Sequence, residues 1–92
     1  MLDMDLELQI CELRYKIAEY CKLYYDGYAI FENFLGTMNI NLYLRKKQQI
    51  VYICKYNNID DLSDEIGILT RIYKNLTMIS VNEYLKKAKS KL

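Results

Sequence analysis

Ninety-two residues, 52% hydrophobic and 27% charged, suffice for one packed core but leave no room for a separate catalytic layer. That composition excludes a disordered chain, and a formal charge of +1 excludes both a strongly basic nucleic-acid coat and an acidic mimic of DNA. With no proline and only three glycines, tight turns are few, and the chain reads as a single helical domain over 1–92.

The first element spans about Asp3 to Tyr25. Leu6, Ile10, Leu13, Ile17, Tyr20 and Tyr24 recur in a 4-3-4-3-4 step, one seam of a helix, and Cys11, Ala18, Cys21 and Tyr25 widen it. Asp3 is placed to cap this helix and Asp26-Gly27 to stop it. Tyr28 to Leu35 predicts a short second helix that buries Ile30, Phe31, Phe34 and Leu35 and ends at Gly36. Thr37 to Tyr56 carries two competing patterns. Met38, Ile40, Leu42 and Leu44 alternate as in a strand, and Ile50 to Tyr56 is rich in β-branched and aromatic residues. A hairpin turning at Arg45 to Gln49 fits that alternation, but those five residues include no Gly, Asn, Asp or Pro to supply the turn angles. Ile40, Leu44, Val51 and Cys54 also lie near one helical face, interrupted by Lys47, and helix is the prediction here.

From Asn58 onward the spacing is more decisive. Ile59, Leu62, Ile66, Leu69, Tyr73 and Leu76 follow steps of three and four, with Asp60 and Asp61 at the start, where a first turn favours acceptors and negative charge. Asp60, Asp61, Asp64 and Glu65 would also suit a divalent cation, but their place in a first turn favours capping. Ser80 and Glu83 have the spacing of a capping box, with Ile79 and Tyr84 as its hydrophobic staple. A corner between two helices is therefore expected near Met78 to Ser80, the second helix leaving with Lys86, Lys87, Lys89 and Lys91.

Catalysis is not expected. No histidine is present to serve as a base, and there is no glycine-rich phosphate loop. Cys11, Cys21 and Cys54 lack the spacing of a zinc site and read as buried thiols in a reducing compartment. The expected setting is cytoplasmic, since the acidic amino end does not resemble a signal peptide and no apolar run approaches the ~20 residues of a membrane span. No cofactor is implied. Ten tyrosines are many for this length. They inflate together with Ile, Asn and Lys in an A/T-rich coding sequence, yet tyrosine also concentrates at interfaces. Tyr20, Tyr24, Tyr25, Tyr28 and Tyr73 are accordingly the candidate surface for self-association or a partner.

Two functional readings attach to the last third. Leu62, Ser63, Ile66, Gly67, Ile68 and Leu76 resemble a helix-turn-helix that would present Thr70, Arg71 and Lys74 to a major groove, although Tyr73, Leu69 and Ile72 sit poorly in that pattern. Ile66 to Ser80 followed by Val81-Asn82-Glu83-Tyr84 resembles the third helix and the start of the fourth in a bacterial four-helix-bundle family. That family includes proteins encoded in intervening sequences of large-subunit rRNA genes and the accessory protein of diversity-generating retroelements. Arg71, Leu76, Ile79, Ser80 and Tyr84 carry the resemblance; the family's proline-containing segment is missing and Gly67 falls within the helix. The resemblance implies an all-α bundle of three to four helices, completed by self-association into a ring-like homo-oligomer without catalytic activity. Such a ring binds RNA or DNA and assists a partner enzyme such as a reverse transcriptase. Arg45, Lys46, Lys47, Arg71, Lys74, Lys86, Lys87 and Lys89 are then the phosphate-contacting candidates. A small helix-turn-helix regulator, or a phage or mobile-element protein that binds one host protein, are the alternatives.

Overall fold

A computed structural model describes the backbone of residues 2–90 and the side chains of 5–89, apart from Phe34, Ser80, Val81, Glu83, Tyr84 and Lys87. The order is α1 (Leu2–Tyr24), β1 (Asp26–Phe34), β2 (Thr37–Lys46), β3 (Gln49–Ile59) and α2 (Leu62–Ser90). The three strands form an antiparallel meander in the order β1-β2-β3. This α+β architecture replaces the expected all-α bundle, and with it the helical character assigned to the whole domain.

The central strand explains the sheet. Met38, Ile40, Leu42 and Leu44 alternate into the core at 6%, 0%, 0% and 0% exposure, so β2 has one face sealed by the helices. β1 lies beside it with Phe31 opposite Ile40 and Ala29 opposite Leu42. On the other side β3 sets Tyr52, Cys54 and Tyr56 against Leu44, Leu42 and Ile40. Two bulges on β3 restore this register, one beside Val51 and one at Asn57-Asn58, where the Asn58 N–H donates to the Asn39 side-chain oxygen (2.9 Å).

Both hairpin turns have two residues. Leu35-Gly36 joins β1 to β2 and Lys47-Gln48 joins β2 to β3, with φ of 51° and 83° in the first and 54° and 67° in the second. Positive φ at both central residues is the twist-matched hairpin geometry, ordinarily supplied by Asn and Gly. Lys47 and Gln48 adopt it regardless, which corrects the helix predicted over 37–56. The predicted short helix over 28–35 is likewise β1: Ile30 faces solvent, Leu35 sits exposed at the turn, and Gly36 serves the turn.

An odd number of antiparallel strands returns the chain to the end where it began, so α1 and α2 run parallel on the same sheet face. Arg14 meets Glu65 and Tyr20 meets Tyr73, fixing the direction. Ile10, Ile17 and Cys21 of α1 and Leu69, Ile72 and Leu76 of α2 close over β2. α1 ends with the Tyr25 N–H donating to the Cys21 carbonyl (3.0 Å). Asp61 caps α2, its carboxylate accepting from the N–H groups of Ser63 (2.7 Å) and Asp64 (3.2 Å).

α2 then runs unbroken to Ser90. The corner expected at Met78 to Ser80 is absent, because the i to i−4 ladder continues through it; the side chains of Ser80, Glu83 and Tyr84 lie outside the described residues. Gly67 also falls inside this helix, so no turn separates two helices of a helix-turn-helix there. Leu69 and Ile72, which that motif would place on a reading helix, are fully buried against the sheet.

Candidate functional site

Topology sorts charge by end. At the end where α1 and α2 begin stand Asp5, Glu7, Asp60, Asp61 and Asp64. At the other end are Lys22, Arg45, Lys47 and Lys74, with Lys86 and Lys89 farther along α2. A near-neutral chain thus has an acidic and a basic end.

Among the described residues both helices lie on one face of the sheet, and nothing covers the other. Its side chains follow from the register. Asp26, Arg45 and Ile50 form a row at the basic end, and Tyr28, Tyr43 and Ile53 form the next. Tyr28 and Tyr43 stack with ring centroids 5.7 Å apart and planes at 18°. Tyr28 keeps 45% of its surface open and Ile53 60%, on a face that water would otherwise disfavour. Towards the acidic end a groove of about 180 Å³ is lined by Ile30, Glu32, Asn39, Asn41, Lys55 and Asn57. Stacked phenol rings, a row of carboxamides and Arg45, Lys47 and Lys55 nearby make a surface suited to planar, polar, negatively charged ligands. Asp26 and Glu32 limit its positive field to the middle and one rim.

The predicted cationic residues divide between two regions. Arg45 lies on the open sheet face, with Lys46 at the end of β2 and Lys47 exposed in the β2–β3 turn; Arg71 and Lys74 are exposed on α2, and Lys86 and Lys89 are exposed on its last turns. The Lys87 side chain lies outside the described residues. Of the tyrosines, Tyr20, Tyr24, Tyr25 and Tyr73 gather around Tyr20, whose ring centroid is 4.7, 6.2 and 6.1 Å from those of Tyr24, Tyr25 and Tyr73. They join the two helices within the chain, while Tyr28 belongs to the opposite face. Sequence reasoning passed over Tyr43, Asn39, Asn41 and Lys55. The signal was present: if Met38, Ile40, Leu42 and Leu44 point inward, the intervening residues line the outer face.

Elsewhere, burial pushes the Cys21 thiol up to about 11 and raises Cys54 and Tyr52 in the same direction. Thiols held protonated in this way are poor nucleophiles. No helix among the described residues is long and apolar enough to cross a membrane. No family model, curated protein or solved structure matches the chain.

Proposed function

We propose that this protein is a non-catalytic accessory factor that binds single-stranded nucleic acid across the open face of its sheet. The observation that carries this is the adjacency of the stacked Tyr28–Tyr43 pair to Arg45, in the neighbouring row of a face that no helix among the described residues covers. Bases stack on the tyrosines, each contact contributing about 1–3 kcal/mol whatever the sequence. Asn39, Asn41 and Asn57 offer donors and acceptors to splayed base edges, which are accessible only in single strands. Arg45, Lys47 and Lys55 contact phosphates and set position rather than sequence. A duplex would hide the base faces that this surface engages, so double-stranded DNA should bind more weakly.

Fluorescence anisotropy with labelled single-stranded oligonucleotides tests the reading. Affinity should fall steeply with salt, because phosphate contacts release counterions. Tyr28→Ala and Tyr43→Ala should each weaken binding roughly tenfold, and Arg45→Ala should flatten the salt slope. Binding that is indifferent to all three substitutions, or that prefers duplex, would refute it.

A further inference from the structure

α2 is longer than the body it packs on. Its partner α1 ends at Tyr24, and the Tyr20–Tyr73 contact sets that end beside the middle of α2. The residues from Met78 to Ser90 therefore project roughly 20 Å past the helix pair, at 1.5 Å per residue. Of the described side chains there, Ile79 is half-buried and Met78, Asn82, Leu85, Lys86, Ala88 and Lys89 are exposed, with Leu85 at 50% and Met78 at 48%. Met78 and Leu85, an apolar pair seven residues apart with Lys86 and Lys89 beside it, thus stand half open to solvent. At the opposite end a cleft of about 240 Å³ opens between α1, the β1–β2 turn and the start of α2. Ile10, Met38, Ile59 and Leu62 supply apolar lining, and Glu7 and Asp60 stand on its acidic side.

We propose that the occupant of this cleft is a second copy of the chain, inserted by the projecting end of its α2. Leu85 enters the apolar part while Lys86 and Lys89 meet Glu7 and Asp60. Charge also argues against a contact between like ends. A two-fold dimer joined through like ends would set acid against acid or lysine against lysine, whereas head-to-tail docking sets opposite charges together at every junction. Each subunit keeps one free end of each kind, so the contact propagates into a ring or a filament according to the rotation between subunits. This inference stands on the helix overhang and the cleft, and is independent of nucleic-acid binding on the sheet face.

Sedimentation velocity on the nuclease-treated full chain provides the test. The wild type should assemble beyond a dimer at low ionic strength and dissociate near 1 M salt, where the Debye length is about 3 Å. Glu7→Lys/Asp60→Lys blocks the acidic end and Leu85→Ala/Lys86→Ala/Lys89→Ala blocks the projecting end. All five positions are solvent-exposed, and unchanged circular dichroism verifies folding. Each variant alone should be monomeric. Mixed one to one they should form a dimer and nothing larger, because only one intact pair of ends remains. A wild type that is monomeric or stops at a dimer, assembly that survives either set of substitutions, assembly abolished by the nuclease, or a mixture that stays monomeric would each overturn the proposal.

Discussion

Arg14 and Glu65, 51 residues apart in the chain, form the ion pair that ties α1 to α2. The Arg14 Nε–H donates to a Glu65 carboxylate oxygen at 3.0 Å, and the terminal guanidinium nitrogen reaches the same oxygen. Glu65 is 3% exposed, and the Arg14 guanidinium supplies its counter-charge.

Removing one half of the pair should cost more than removing both. Arg14→Ala leaves a carboxylate without its counter-charge in a buried setting and should destabilise by about 3 kcal/mol. Arg14→Met/Glu65→Leu, apolar and similar in volume, should recover most of that loss. Urea denaturation of the three proteins measures both values; equal losses in the single and double variants would show that the uncompensated carboxylate is not the source of the cost.

The Lys47-Gln48 turn stores strain that a better turn sequence would release. Gln48→Gly removes the conflict between Cβ and carbonyl that positive φ imposes, and Lys47→Asn supplies a residue that tolerates that φ. The melting point of the double variant should therefore rise by an amount equivalent to about 1–2 kcal/mol. A fall in melting temperature would mean that Lys47 or Gln48 makes a contact worth more than its strain.

Three glycines should respond to alanine in different ways. At Gly27 a new Cβ would stand 2.0 Å from the Tyr43 carbonyl oxygen, so Gly27→Ala should cost about 2–3 kcal/mol through displaced backbone. Gly36 has open space but φ of 83°, so only the conformational cost of about 1 kcal/mol applies. Gly67 lies within α2 with nothing near it, and Gly67→Ala should stabilise by about 1 kcal/mol. Thermal melts of the three variants should show this order of signs.

Alkaline pH should weaken the fold. Cys21 holds its proton up to about 11 in the folded state, against an ordinary 9.0 when unfolded. Cys54 and Tyr52 are raised for the same reason, burial. The folded state therefore binds more protons across that window. The associated stability is complete below pH 9 and is lost as pH climbs towards 11. Urea midpoints should decline over this range, and Cys21→Ala should make the decline shallower. In the folded protein at pH 8 the exposed Cys11 should react with a thiol reagent well before the buried Cys21 and Cys54.

Periodicity in the sequence determined α1, α2 as far as Leu76, the Asp61 cap and the alternation in β2, because each depends on residues within a few positions of one another. It did not determine that Lys47 and Gln48 would turn a hairpin. Their local preference opposes it by about 1–2 kcal/mol each, a deficit outweighed when Ile40, Leu42 and Leu44 are sealed between strands and helices. The sealing contacts join residues far apart in sequence, so no local pattern reports them. The same non-local step divided the tyrosines between the helix junction and the open sheet face. It also carried Asp60 to the acidic end and Arg45 to the basic one, because the reversal of each strand, rather than sequence position, decides at which end a side chain stands.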